Sequence, residues 1–221
     1  MNERGPTSGA KPGAGTIDAA QFAALARARL LTEPADISAF GASDFDLNPD
    51  VAPGLSTALT PAAVLVAIIA RPKLSVLLTE RTEHLSAHAG QIAFPGGRIE
   101  AGDAGPLSAA LREAEEEIGL DPSFVEPLGF LEPYRTGTGY SITPAVALVR
   151  PGFAITPDPA EVAAVFEAPL AFLMDVANHR IESREWRGGR RRFYAMPFEQ
   201  RYIWGATAGI LKSLHRRLFE A

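Results

Sequence analysis

The sequence predicts an α/β fold in which a few helices pack on a mixed β-sheet, and three observations lead there. Apolar β-type runs recur between helical patterns without regular alternation, which points to mixed pairing rather than a parallel βαβ array. The 221 residues are 47% apolar, enough for one sizeable core. Between residues 107 and 118 the apolar positions recur at helical spacing, so at least one helix shares that core.

Residues 1–16 are Gly, Pro, Ser and Thr with almost nothing to bury, and are expected to stay disordered because burial cannot offset the cost of ordering them. Asp18 then reads as an N-cap with Gln21 at the capping-box position and Ile17 and Phe22 as a hydrophobic staple, starting a helix that runs to about Leu31. Residues 32–61 form a long polar connection. The runs "AAVLVAIIA" (62–70) and "LSVLLTE" (74–80), separated by "RPK", read as a hairpin. "QIAF" (91–94) is a short strand entering a tight turn at Pro95-Gly96-Gly97, and a glutamate-rich helix follows. Strands are expected near 126–131, 141–149 and 162–167, a second hairpin around Gly188-Gly189, and a last helix over "ATAGILKSLHRRLFEA" (206–221). The expected organisation is a single domain over 17–221 with an N-terminal helical extension.

Composition narrows the function classes. The chain has no cysteine, which excludes disulfides and thiolate zinc sites and makes the cytosol the default compartment. Its longest apolar run is too short to span a bilayer, and its polar start lacks the apolar core of a signal peptide, so no membrane partner is expected. A formal charge of −5 argues against nucleic-acid binding. An anionic small substrate therefore needs local cations.

The segment "FPGGRIEAGDAGPLSAALREAEEEIGL" (94–120) carries the chemistry. On a helical wheel Leu107, Ala110, Leu111, Ala114 and Ile118 form an inward stripe, while Glu113, Glu116 and Glu117, at i, i+3 and i+4, share another arc. Glu115 points elsewhere. Gly119 stands at the C-cap, so the glutamates occupy the last two turns, where the macrodipole disfavours anions. On a solvated face this costs a few tenths of a kcal/mol, relieved in part by Arg112. In a cleft, two carboxylates about 6 Å apart repel by roughly 3 kcal/mol at an effective dielectric near 20. A hard cation such as Mg²⁺ or Mn²⁺ reverses that, because oxygen-only ligands select it and leave positions for phosphate oxygens.

Arg112, Glu113, Ala114, Glu115, Glu116, Glu117, Ile118, Gly119 and Leu120, downstream of Gly96-Gly97, resemble the signature of the Nudix hydrolases. Asp103 takes the acidic position usually filled by glutamate, and eight residues instead of seven separate it from Arg112. Upstream, Leu77, Leu78, Thr79, Arg81, Gly90, Phe94, Pro95, Gly96 and Gly97 resemble the extra motif of the coenzyme A pyrophosphatase branch, which also tolerates the insertion. Two positions depart from it: Thr82 replaces Ser or Ala, and Ser86 stands where a second arginine is usual. The similarity runs from about residue 62 to 212.

The resemblance implies an α/β/α sandwich around a mixed sheet and hydrolysis of a nucleoside diphosphate with Mg²⁺ or Mn²⁺. It assigns Glu113 and Glu117 as metal ligands, Glu116 as ligand or water-activating base, the Gly97 carbonyl as a further ligand, and Arg112 as the group orienting the carboxylates. Glu161 is a second candidate base. Arg81, with Gly96 and Gly97, is assigned to the substrate phosphates. For coenzyme A or its acyl derivatives the products are 3′,5′-ADP and 4′-phosphopantetheine. Alternatives are another nucleoside diphosphate derivative, such as ADP-ribose, NADH or an oxidised nucleotide, and a binding module that keeps the fold without turnover. Monomer and homodimer both remain open. His84 and His88 read as loop histidines, Arg187, Arg190, Arg191 and Arg192 as a soluble hairpin edge, and Trp186 and Trp204 as packing residues.

Overall fold

The capping box expected at Asp18 forms. The Gln21 amide donates to Asp18 Oδ1 at 2.8 Å and the Asp18 amide donates to Gln21 Oε1 at 2.9 Å, opening helix α1 (Ala19–Arg29). Ile17 and Phe22 are buried in one apolar cluster, as a staple requires. Asp18→Ala is expected to cost about 1 kcal/mol, read as a lower urea midpoint with an unchanged slope.

This computed structural model describes residues 17–51, 59–83, 90–186 and 189–220, without the side chains of Val51 and Trp186. The expected tail, His84, Ser86, His88, Arg187 and Gly188 lie outside the described residues. After α1 come β1 (Ala42–Ser43), β2 (Thr60–Ile69), β3 (Ser75–Arg81), β4 (Ile92–Ala93) and β5 (Gly96–Arg98). Helix α2 (Pro106–Ile118) is followed by β6 (Val125–Phe130), β7 (Tyr134–Arg135), β8 (Tyr140–Val149) and β9 (Val162–Pro169). A short helix α3 (Leu170–Leu173) leads to β10 (Arg180–Trp186), β11 (Gly189–Phe198) and β12 (Arg201–Trp204), then to α4 (Ala206–His215) and a π-helical turn (Arg216–Glu220). None of the described helices is long and apolar enough to cross a membrane.

Strands β1 to β9 make one mixed sheet and β10 to β12 a second, antiparallel one. The centre of the large sheet is β2, paired in parallel with β8 from Thr60↔Tyr140 to Ile69↔Val149. Alternate residues of β2 enter opposite cores. Ala63, Leu65, Ala67 and Ile69 face the cluster that contains Ala109, Ala110, Ala114 and Ile118 of α2. Val66 and Ile68 face the cluster built with α1 and α4. The predicted sandwich with helices on both faces is thereby realised.

Three local expectations need correction. The β2–β3 hairpin is confined to Ile68↔Val76 and Ile69↔Ser75, after which the two strands diverge, each paired along its outer edge with β8 or β9. The fork that opens is filled by β4 on β3 and β5 on β2. The Pro-Gly-Gly segment therefore crosses between strands, and Gly96 and Gly97 lie in β5 rather than in a tight turn. On α2, Leu107 and Leu111 are only partly buried while Ala109, Ala110 and Ala114 are fully so. Alanines at 63, 67, 145 and 147 on the sheet face let small helix residues make the closest approach.

Candidate active site

The end of α2 is tied to the strand it faces. Gly119 adopts the left-handed conformation at φ 67° and closes the helix. The carbonyls this leaves over are taken up by the connection between β8 and β9: the Thr156 amide donates to Ile118 O at 2.8 Å and the Asp158 amide to Glu117 O at 2.9 Å. That loop feeds β9 and places Glu161 on the side where the α2 glutamates project.

Glu117 is the buried member of the glutamate set, with its side chain 6% exposed. It accepts the Gly96 amide at 3.1 Å and lies 3.6 Å from Arg81 Nη1. Burial, with the Glu113 and Glu161 charges, pushes its carboxyl up to about 7, against the pull of the Gly96 amide and Arg81. Glu113 is pressed against β5 so closely that a Cβ on Gly97 would overlap its carboxylate. Burial raises its pKa too, although its bond to Arg112 opposes the shift.

Arg112 is the hub of this corner. Its guanidinium donates to both Asp103 oxygens at 3.1 Å, to Glu113 Oε1 at 3.0 Å, to Glu116 Oε2 at 3.0 Å and to the Arg98 carbonyl at 3.1 Å. Asp103, displaced in sequence by one residue, thus still reaches the arginine, which holds its carboxyl below the usual range with help from the Glu100 amide. Glu116 is 60% exposed at the rim. The three glutamates share this corner: Arg112 Nη1 holds Glu113 and Glu116 alike at 3.0 Å, and the Glu113 charge acts on buried Glu117, while Glu116 stays at the exposed rim. Glu115 is exposed, as expected.

Arg81 bridges the site from β3, 3.6 Å from Glu117 and 3.9 Å from Glu161. Its Nε is buried with no hydrogen-bond partner among the described residues, in a place where an open donor costs about 1–3 kcal/mol. A hard divalent cation fits the donor set: the Glu113 and Glu117 carboxylates and the Gly97 carbonyl would offer oxygen donors, and two carboxyls whose pKa burial raises would gain from a positive neighbour. Among the described residues no three acidic or histidine side chains form a ready cation cage.

A cavity of about 760 Å³ adjoins this corner. The glutamates do not line it; it meets them through Arg81, Gly96, Gly97 and Arg98. Its other walls include Tyr134, Tyr140, Phe193 and Trp204 and the arginines 184, 191 and 192. Sequence reasoning missed this wall, reading Arg191 and Arg192 as a hairpin edge and Trp204 as packing. The unusual density of arginine around Gly188-Gly189 was the available signal.

The NUDIX domain model matches residues 59–188. The uncharacterized Nudix hydrolase NudL of Escherichia coli K12 is 44% identical over 153 residues, covering 69% of this chain and 80% of that protein. Among solved structures, the NUDIX domain of Shewanella oneidensis NrtR complexed with ADP ribose aligns at 20% identity and TM-score 0.47, over 78% of this chain and 97% of that one. A C. elegans Ap4A hydrolase aligns at 20% identity and TM-score 0.44, over 49% and 80%. With most of its length matched by the family model and a relative at 44% identity, the chain belongs to the Nudix hydrolases, enzymes that act on diphosphate bonds of small nucleotide derivatives with divalent metal ions.

Proposed function

We propose that this protein is a Mg²⁺- or Mn²⁺-dependent pyrophosphatase that cleaves the diphosphate bond of coenzyme A or its acyl derivatives, giving 3′,5′-ADP and 4′-phosphopantetheine. The observation that carries it is one cavity, of nucleotide-binding size, running from Arg81 and the Gly96–Arg98 strand to a wall of aromatic and cationic side chains. The coenzyme A motif around Arg81 to Gly97 adds the substrate class.

In this reading Glu113, Glu117 and the Gly97 carbonyl hold the ion, with Glu116 as a fourth ligand or as the base that takes a proton from the attacking water. A bound divalent ion supplies charge neutralisation of the diphosphate and lowers the pKa of water. Arg112 fixes the orientation of Glu113 and Glu116 through its bonds to both. Arg81 turns its unpaired Nε–H and its guanidinium charge to a phosphate oxygen, releasing Glu117. Glu161, exposed and 3.9 Å from Arg81, is the competing base. Residues 17–221 act as one Nudix unit with α1 as an extension, in the cytosol.

Ser86, where the coenzyme A branch usually has arginine, favours a second reading in which another nucleoside diphosphate is preferred. Purified protein with Mg²⁺ is incubated with coenzyme A, ADP-ribose, NADH and nucleoside triphosphates, and the products are separated. Coenzyme A is expected to yield 3′,5′-ADP and 4′-phosphopantetheine fastest. Faster turnover of another compound selects the second reading, and no turnover of any leaves a binding module. Glu116→Gln is the control: a large loss of turnover with little change in unfolding midpoint is expected.

A further inference from the structure

Among the described residues, five arginines line the cavity, Arg81, Arg98, Arg184, Arg191 and Arg192, against one acidic residue, Asp44. The chain as a whole carries a formal charge of −5. An acidic protein that concentrates arginine in one concavity has made that concavity attractive to anions. Arg81 and Arg98 belong to the glutamate corner, and a diphosphate accounts for them. The other three come from the β10–β11 hairpin and need a separate reason.

Arg184 and Arg191 stand directly opposite each other in that hairpin. Like charges in this register destabilise a strand pair, so the hairpin's own stability does not explain them. The surroundings hold both in place. The Arg184 guanidinium lies over the Trp204 ring at 4.2 Å, and Trp204 meets Phe193 edge-on at 5.2 Å. Arg191 lies over the Phe45 ring at 5.8 Å, and a Cβ on Gly137 would come within 3.0 Å of its Nη1. The Asp44 carboxylate beside it is immobilised by the Tyr134 hydroxyl at 2.8 Å and the Gly137 amide at 2.7 Å. Asn48 clamps the next residue, accepting the Arg192 amide at 2.8 Å and donating to its carbonyl at 2.8 Å. The arginine wall is fastened to the body of the molecule at several points.

With a diphosphate at Arg81 and Gly97, the nucleoside extends along the cavity past Tyr140, Phe193 and Trp204, whose rings offer surfaces for a base. We propose that Arg184 and Arg191 form a second anion subsite that receives a phosphate monoester on the ribose, so that the protein selects nucleoside diphosphates carrying this extra phosphate. Two guanidinium forks lining one cavity supply the charge and the paired donors that a phosphate dianion takes up. The inference rests on the diphosphate-hydrolase reading of the cavity and sharpens its substrate class.

Calorimetric titration of the intact, metal-free protein with adenosine 3′,5′-bisphosphate, adenosine 2′,5′-bisphosphate and AMP tests the subsite without requiring turnover. The 3′,5′-bisphosphate is expected to bind at least about tenfold more tightly than AMP, the worth of one good charge-assisted contact. Arg184→Gln and Arg191→Gln each shrink that ratio and together bring it near one, Arg191→Lys restores part of it, and Arg190→Gln on the same hairpin leaves it unchanged. Equal binding of the bisphosphates and AMP overturns the subsite, as does a ratio that survives the double substitution. Turnover of coenzyme A against dephospho-coenzyme A separates the two readings. A bisphosphate preference without hydrolysis of either compound keeps the subsite and rejects the coenzyme A assignment. Equal hydrolysis of both, with equal binding of the mononucleotides, rejects the subsite alone.

Discussion

Glu117→Gln is expected to lower turnover of a diphosphate substrate by roughly 10²–10³-fold, the scale on which removing one preorganised charge-stabilising group acts, while the protein still folds. Glutamine keeps the shape and can still accept the Gly96 amide that Glu117 accepts at 3.1 Å. It has no charge with which to anchor a cation or to answer Arg81 at 3.6 Å. A second readout separates this from general damage. Burial holds the Glu117 carboxyl at about 7, above the 4.5 of an ordinary glutamate. In chelator-treated protein both folded and unfolded chains are protonated there below about pH 4.5, so nothing is lost. As pH rises towards 7 the unfolded chain releases the proton first, and stability falls, by at most about 3 kcal/mol once pH passes 7. Urea midpoints measured from pH 4.5 to 8 should show this fall in the parent and a flatter profile in Glu117→Gln. Identical profiles in the two proteins would exclude Glu117 as its source.

Alanine at the neighbouring glycines should give opposite results. Gly96 has φ 153° and backs onto β2, where an added Cβ would overlap Ala63 O and lie 2.6 Å from Val64 Cα. Both obstacles are backbone in the middle of the sheet, so Gly96→Ala is expected to cost about 2–4 kcal/mol in stability. At Gly97 the obstacle is the Glu113 carboxylate, the far end of a flexible side chain. Gly97→Ala therefore keeps the fold within about 1 kcal/mol of the parent but displaces Glu113, and turnover drops about 100-fold or more. Unfolding midpoints and steady-state kinetics on both variants check this. A Gly97→Ala enzyme with normal kcat would show that the position of Glu113 does not matter to the reaction.

The elements that could be read in advance are those whose signal is local. Asp18 and Gln21 lie three residues apart and cap α1 as their types require. Gly119 closes α2 because a glycine takes the left-handed cap without steric cost. Strands β6, β8 and β9 announce themselves by apolar and aromatic residues concentrated between turn residues. The hairpin between β2 and β3 forms as its sequence suggests but is short, because the rest of the two facing edges is taken by β5 on β2 and by β4 on β3, which strand adjacency in sequence does not reveal. Strands β1, β4, β7 and β12 are two to four residues long, and only β4 lay in a run strong enough to signal a strand.

What the sequence determined by itself was the family, the acidic helix and the identity of its glutamates, because a helix of period 3.6 ties side-chain direction to sequence spacing. Only the tertiary structure decided which glutamate is buried, what Arg112 and Arg81 bind, and that the hairpin arginines face the same cavity as Gly97. Arg81 and Glu161 are 80 residues apart and Gly97 and Arg191 nearly 100. Burial and electrostatic partnership at such separations arise from sheet pairing and close packing, and no local pattern of residues encodes them.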